Sequence, residues 1–396
     1  MPILFSYAFR PLFLLASLYA IVIVPWWVAA WLGVHSVPTP LGAPMWWHAH
    51  EMIFGFAGAA VGGFALTAVA TWTKRPPVAG VPLMALAALW IVARIFFLLP
   101  IDGAFVPAAV ADLGYGTLLC VLMSREVIGA RSHRNYKVLV ILGLLPFVNG
   151  LFFAGVATHA SWTFTALLSG VWLLVLLINL IGGRIIPGFT RNWLSRQADA
   201  QQAGSGALPP TFDRLDRAAT ILLVGFAGFH IAGAFPRWTA VLGVLAAVVL
   251  CVRLVRWQGR RTFAEPLVWV LHVAFAWIPV GIALLSAAEL GWVPRTAGVH
   301  ALTSGAIATM IVAVASRAAL GHTGRALQSH PLLTAAYVSI TIAAVTRVAA
   351  TFGPGARVLL IISATAWTLG FTCFTWRYAP ILAQGKKTRP GSLPTL

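Results

Sequence analysis

The stretch PMWWHAHEMIFGFAGAAVGGFALTAVATW, residues 44–72, places three ionisable side chains at the start of a long apolar run. His48, His50 and Glu51 follow two tryptophans, and the next charged residue is Lys74. A bilayer core about 30 Å thick needs roughly 20 apolar residues per helix, so the stretch predicts a membrane-spanning helix. An ionisable residue in such a helix is costly and is therefore a candidate for function.

The rest of the chain is similarly apolar. Of its 396 residues, 60% are hydrophobic and only 9% are charged, too few to cover the surface of a soluble globule. The predicted fold class is therefore an all-α, polytopic integral membrane protein with about twelve transmembrane helices. Breaks at proline, glycine and charged clusters predict spans near residues 11–33, 46–70, 80–99, 104–128, 136–156, 161–181, 215–235, 238–257, 265–288, 296–316, 332–350 and 357–378.

The basic residues predict the orientation of these spans. With the N-terminus in the cytoplasm, 22 of the 27 Lys and Arg residues fall in cytoplasmic segments. Because Lys and Arg are retained on the cytoplasmic side of a membrane, we expect both termini there. The same alternation explains the net charge of +18, and we expect no nucleic-acid partner. The first span lacks a small-residue cleavage site, which favours a retained helix.

A polar segment divides the chain into two sets of six spans. The predicted organisation is a first six-helix half (1–190), a cytoplasmic linker (191–217), a second six-helix half (218–380) and a disordered cytoplasmic tail (381–396). No residue-level repeat between these halves is evident, so a duplicated transporter architecture stays one alternative. The three cysteines are scattered within spans, which argues against disulfides and iron–sulfur ligation.

The histidines sort by their predicted depth. Four lie in loops, where a solvated side chain is the simplest interpretation: His35, His133, His159 and His330. The outer ends of spans 2, 7 and 10 carry His48, His50, His230 and His300, and their shared depth predicts an outer site. His272 lies deeper in span 9, about 10 Å from the cytoplasmic boundary, and His322 follows the inner end of span 10.

Helical spacing separates the two histidines of the opening stretch. On a helix, His48 and His50 lie about 200° apart, whereas His48 and Glu51 lie about 60° apart. Either the two rings face different partners, or the helix begins near His50. A neutral imidazole is a common ligand for iron and copper, and Glu51 could orient a ligating ring from behind. The alternative is a set of interfacial polar residues, and the absence of an HExxH pattern argues against a zinc peptidase.

Two further features involve arginines. Arg94 in span 3 and Asp112 in span 4 both lie toward the outer side, where they could form a structural ion pair or part of a proton or ligand path. Arg184 lies at the inner end of span 6 beside two glycines and a proline. It could contact an anion such as a propionate, although a tight helix exit also explains the segment.

Five separated motifs resemble the NnrS family between Phe5 and about Arg325. They are FSYAFRPLFLL, WHAHEMIFGFAGAAVGGFALTAVATWT, GGRIIPGFT, LHVAFAWIPVG and HALTSGAIATMIVAVASRAALGHTGR. The resemblance implies a multi-pass protein of the bacterial inner membrane that is associated with haem, here expected as haem b, and with copper. It also implies a role in the response to nitric oxide during denitrification or nitrosative stress.

The resemblance draws attention to six histidines as cofactor-binding candidates: His48, His50, His230, His272, His300 and His322. Of these, His48, His50 and His300 are the candidates for metal ligands. Glu51 and Arg184 are expected to contact the ligands or the cofactor without binding the metal themselves. We expect a protein that binds, or turns over, nitric oxide or its products. Enzymatic activity stays open because turnover would need an electron donor, which is unknown, and no catalytic residue is assigned. The alternatives are a secondary transporter for a metal or nitrosylated complex and a non-catalytic haem sensor subunit.

Overall fold

The computed structural model describes residues 2–38, 40–201 and 207–385. These residues contain twelve helices that are long and apolar enough to cross a membrane, which confirms the predicted fold class. They are α1 (Phe9–Trp31), α2 (Pro44–Thr73), α3 (Val81–Leu98), α4 (Phe105–Gly129), α5 (Tyr136–Ala157), α6 (Thr163–Gln201), α7 (Arg214–Ala232), α8 (Pro236–Arg256), α9 (Pro266–Glu289), α10 (Arg295–His322), α11 (Pro331–Ala349) and α12 (Ala356–Ala383).

The helix bounds refine the predicted segments. Helix α6 continues to Gln201, so the first part of the predicted linker 191–217 is helical. Helix α12 continues to Ala383, into the predicted tail, and residues 386–396 of that tail lie outside the described residues. The division of the chain into two six-helix halves stays a prediction.

Four helices form the centre of the bundle. In α2, α6, α9 and α10 between 61% and 78% of the most apolar window is buried within the protein, against at most 44% in the other eight helices. Helix α2 packs against α1, α4 and α10, and α9 packs against α6, α8 and α10. The outer helices close the bundle, since α12 packs against both α1 and α11.

Helices α2 and α10 share an uncommon shape. Each begins as an α-helix, widens into a seven-residue π-helix, and then continues as an α-helix. The π segments are Glu51–Ala57 and Ala301–Ile307, 250 positions apart. At the same spacing His50 matches His300, and Gly55 matches Gly305. This register relates the second helix to the tenth, whereas two halves of six would relate it to the eighth.

The π segment of α2 is stabilised by side chains from neighbouring helices. Widening a helix breaks the regular i to i−4 ladder and leaves carbonyl groups that need other donors. The indole of Trp90 on α3 donates to the Gly55 carbonyl (2.9 Å), and the hydroxyl of Tyr115 on α4 donates to the Gly58 carbonyl (2.9 Å). π-helical segments are rare in proteins, and those that occur are often at functional sites. The two segments therefore mark candidate positions for a site.

The start of α7 gives a pH-dependent prediction. Asp213 caps the helix by accepting hydrogen bonds from the backbone of Leu215 and Asp216. A hydrogen bond from Arg256 lowers the pKa of Asp213 to about 2. Because the unfolded pKa of an aspartate is about 3.9, this ion pair stabilises the fold above about pH 4, and its contribution is lost as the pH falls toward 2.

The variant Asp213→Asn keeps a good helix cap but removes the charge. We expect the thermal midpoint of wild type to exceed that of Asp213→Asn above pH 4, and the gap to close between pH 4 and pH 2. A gap that stays constant over this range would rule out the ion pair as its source.

Candidate functional site

The outer half of the bundle holds a buried cluster of charged groups centred on His50. The ring nitrogen Nδ1 of His50 lies 3.0 Å from Oε1 of Glu51, and Nε2 lies 3.1 Å from Oδ1 of Asn149 and 3.3 Å from Oδ2 of Asp112. The Asn149 amide donates to the same Asp112 oxygen (2.6 Å). Arg94 pairs with Asp112 and lies 3.2 Å from Glu51. We call these five residues the His50 cluster.

The His50 cluster is closed to solvent and balanced in charge. All five residues are at most 4% exposed. Both ring nitrogens of His50 face oxygen acceptors, an arrangement that suits a doubly protonated ring. Such a ring and Arg94 together balance the two carboxylates, which is what a buried charged group requires. The interpretation of Arg94 and Asp112 as an intramembrane ion pair is confirmed.

Gly55 makes room for the guanidinium of Arg94. A Cβ atom at Gly55 would lie 2.5 Å from Nη1 of Arg94, closer than side chains approach in folded proteins. We therefore expect Gly55→Ala to displace Arg94 and to lower the free energy of unfolding by about 1 to 3 kcal/mol, the usual cost of overpacking. The measurement is unfolding in mixed detergent micelles.

Gly143 in the middle of α5 provides the matched control, since a Cβ atom there would meet no atom within 4 Å. Gly143→Ala is expected to leave stability unchanged or slightly higher, because alanine favours helix. Equal losses in both variants would show that the contact with Arg94 is not the cause.

A second group of residues lies at the ends of α1, α2, α10 and α11 that the basic residues predict to be outer. His48 stacks on Trp27, with ring centroids 4.4 Å apart and planes 4° apart. His48, His300 and Arg347 are close enough for their charges to interact. The Nδ1 atom of His300 lies 2.7 Å from the carbonyl oxygen of Thr296, one turn earlier in the same helix. We call His48, His300 and Arg347 the outer set.

The outer set differs from the His50 cluster because its polar groups have fewer hydrogen-bond and ion-pair partners. Within the described ranges His48 forms no hydrogen bond, Nε2 of His300 has no partner, and Arg347 forms no ion pair. Since Nδ1 of His300 donates to a carbonyl, its Nε2 carries the lone pair that binds a metal. The outer set therefore presents two imidazoles and an unpaired cation on one side of the bundle.

The relation between α2 and α10 explains this difference. His300 corresponds to His50, but Ala301 stands where α2 has Glu51. Gly305 corresponds to Gly55 and accommodates the ring of Trp277 instead of an arginine. The position related to His50 has therefore lost the carboxylate that closes the His50 cluster.

The other candidate histidines have separate surroundings. His230 is fully buried, with Nδ1 2.8 Å from Oε1 of Glu289 and Nε2 3.1 Å from Arg295. His272 contacts the Thr190 hydroxyl through Nε2 (2.9 Å), and its buried Nδ1 has no hydrogen-bond partner in the described part of the chain. Of the four imidazoles predicted to converge, His48 and His300 interact with each other, whereas His50 and His230 have other partners, and the four-histidine site stays a prediction.

The two inner candidates lie apart from the outer set. His322 packs against the rings of Tyr7 and Phe9 near the inner end of α1. Arg184 is half-buried on α6, and no contact between it and a candidate histidine is seen among the described residues. The expected role of Arg184 in binding an anion stays a prediction.

Haem and copper can be tested against these donor sets. Among the described residues no group of three or more His, Cys, Asp or Glu side chains could hold a metal ion by itself. His50 and His230 would have to break hydrogen bonds at both ring nitrogens to become ligands. The outer set fits better, because it brings together two imidazoles with open nitrogens, whereas the open Nδ1 of His272 has no second imidazole among its contacts in the described residues. Arg347 is available to an anionic group such as a haem propionate. Two imidazoles are suitable ligands for haem iron or for copper.

Several residues of these sites escaped the sequence reasoning. Tyr19, which hydrogen-bonds to Glu51, and Trp27 resemble any other aromatic residue of an apolar span. Asn149 is a lone amide within α5 and could have been singled out as a costly polar group. Nothing in the sequence connects Arg347 with His48.

Comparison with known proteins identifies one family. A family model described as NnrS protein matches residues 3–386, nearly the whole chain. No match is found among curated proteins.

Proposed function

The chain belongs to the NnrS family, and we propose that it is a membrane protein of the nitric oxide response that binds haem or copper through the outer set. The proposal rests on one observation: His48 and His300 keep open ring nitrogens beside Arg347, which forms no ion pair in the described structure. A buried or half-buried cation without a carboxylate favours an anionic ligand, and two open imidazoles favour a metal.

Each residue of the outer set has a distinct task. The Thr296 carbonyl holds the His300 ring in the tautomer whose Nε2 can ligate. The parallel Trp27 ring fixes the plane of His48. Arg347 would form charge-assisted hydrogen bonds to a carboxylate. Haem held there would supply an iron atom able to bind nitric oxide, and copper held there would supply a redox-active metal instead.

The His50 cluster has a structural task in this proposal. Its ion pairs join α2 to α3 and α4, and the hydrogen bonds of Asn149 add α5. Together they leave no lone pair on His50 for a metal. The cluster holds the beginning of α2 in place, and with it His48 two residues earlier. Glu51 accordingly orients His50, and any effect of Glu51 on the outer set is indirect.

Nitric oxide suits a site inside a membrane protein. It is small and uncharged, and apolar molecules concentrate in hydrocarbon, so it needs no polar channel. We propose binding of nitric oxide here; no residue is assigned to its chemical conversion.

The optical spectrum of the purified protein tests the proposal. We expect a Soret band and a shift of that band on addition of nitric oxide to the anaerobic, reduced protein. A protein that is colourless after expression with ample haem, or whose Soret band ignores nitric oxide, would overturn it.

We further propose that the protein lies in the bacterial inner membrane with both termini in the cytoplasm, so that the outer set faces the periplasmic leaflet. The support is the distribution of the basic residues. Reporter fusions after Pro209 and after Gln384 are expected to report cytoplasm, and a fusion after Val37 to report periplasm. A periplasmic signal after Pro209 would contradict this orientation.

A further inference from the structure

Two neighbouring cavities lead from the membrane face of the bundle to the His50 cluster. The first has a volume of about 70 Å³ and lies between α1, α2, α6 and α10. The second has a volume of about 40 Å³ and lies between α2, α4 and α5. Both cavities are lined by Val61 of α2 and Leu174 of α6, so these two side chains form the wall between them.

The first cavity is apolar throughout. Its lining includes Phe64, Leu177, Ile311 and Val314, and no charged or hydrogen-bonding side chain contributes to it. Phe64, Ile311 and Val314 are only partly buried, so the cavity reaches the surface of the bundle at a membrane-spanning level. An ion or a water molecule would find no hydrogen-bond or charge partner in this cavity. A small apolar molecule that enters from the lipid exchanges one apolar environment for another.

The second cavity ends at polar groups. Asp112 and Asn149 of the His50 cluster line it, together with Tyr115. The Tyr115 hydroxyl donates to the Gly58 carbonyl, and a Cβ atom at Gly62 would clash with that hydroxyl oxygen, so two glycines of α2 position this wall. A molecule in the second cavity thus lies against the charged side chains that hold α2.

The two volumes restrict what can occupy them. One water molecule needs about 10 to 15 Å³ of such cavity volume, so a cavity of about 40 Å³ holds a molecule of two or three heavy atoms. A lipid chain, a quinone or a haem is too large for the second cavity. The apolar lining of the first cavity selects against small ions and polar solutes of the same size.

We propose that the two cavities form a lipid-side entrance and a holding site for a small uncharged diatomic molecule, with Val61 and Leu174 as the gate between them. That this molecule is nitric oxide rests on the proposed function. The existence of the site does not, because it follows from the cavities alone. The gate admits a molecule when the two side chains change rotamer, a motion of picoseconds to nanoseconds for accessible side chains.

Xenon is a suitable probe because it is apolar, occupies small dry cavities and scatters strongly. Crystals of the full-length protein under xenon pressure should show xenon in the first cavity. Val61→Ala is expected to raise its occupancy and join the two cavities, and Val61→Phe to lower it about tenfold by filling the space. Val140→Phe, at a residue of α5 that is 60% exposed, is the matched control and should leave xenon unchanged.

The outcomes separate this inference from the proposed function. Xenon in the cavity, with the opposite responses of the two Val61 variants, supports the inference whether or not the protein contains haem. No xenon in wild type or in Val61→Ala would overturn it, even if the Soret band shifts with nitric oxide.

Discussion

Replacing Arg94 by methionine is expected to lower the free energy of unfolding by about 3 to 5 kcal/mol, the usual cost of removing one partner from a buried ion pair. Methionine has a similar length and suits the apolar surroundings, so packing is largely preserved. The loss arises because Glu51 and Asp112, both fully buried, would face each other with only His50 between them. The measurement is reversible unfolding in mixed detergent micelles.

Arg347→Met is the matched control for this experiment. Arg347 lies toward the outer end of α11, as Arg94 lies toward the outer end of α3, but it forms no ion pair within the described residues. Its replacement in metal-free protein is expected to cost less than about 1 kcal/mol, as for most positions without a buried partner. A second comparison adds Asp112→Leu to Arg94→Met and should recover part of the loss. Similar losses in both single variants would show that the His50 cluster does not depend on its charge balance.

Replacing either histidine of the outer set is expected to have the largest effect on metal content. Removing a residue that only hydrogen-bonds to a metal ligand lowers metal affinity about 10- to 100-fold. Removing the ligand itself should cost at least as much, so His48→Ala and His300→Ala should each lower bound haem or copper by more than about tenfold. Both side chains are half-buried at the outer ends of their helices, so stability should change much less. Metal content per protein is measured by mass spectrometry on monodisperse protein.

Two controls make this result specific. His159→Asn changes an exposed histidine of an outer loop and should keep full metal content. Its backbone φ of 54° is one that asparagine tolerates. Glu289→Gln changes the partner of His230 and should also retain the metal, since His230 is not a ligand in this account. Full metal content in both single variants of the outer set would mean that the ligands lie elsewhere.

The hydrophobic pattern and the charged residues of the sequence were sufficient to predict the twelve helices and one buried ion pair. Twelve apolar runs predicted twelve helices because a bilayer allows few other ways to satisfy the backbone. The roughly 200° separation of His48 and His50 left two alternatives, rings with different partners or a helix that begins near His50. Helix α2 begins at Pro44, and the two rings lie beside Trp27 and Asp112. The Arg94–Asp112 pair was predictable because two opposite charges at one depth in a membrane have few alternatives.

The arrangement of the helices within the plane of the membrane could not be predicted from the sequence. This arrangement determines which candidate histidines lie together. Depth alone placed His230 with the outer histidines, but its ring is occupied by Glu289 and Arg295 from α9 and α10. The correspondence of His50 with His300 is also invisible to hydropathy, because few residues other than the histidine and Gly55/Gly305 are retained at that spacing. It became evident from the two π segments, which depend on backbone geometry.

The nitrogen hyperfine couplings of the bound metal test the central claim most directly. Pulsed electron paramagnetic resonance of metal-loaded protein with ¹⁵N-labelled histidine counts the imidazoles on the metal. We predict two imidazole nitrogens in wild type, one in His300→Ala, and two in His159→Asn. Couplings that are unchanged in both His48→Ala and His300→Ala would contradict the assignment of the outer set as the metal site.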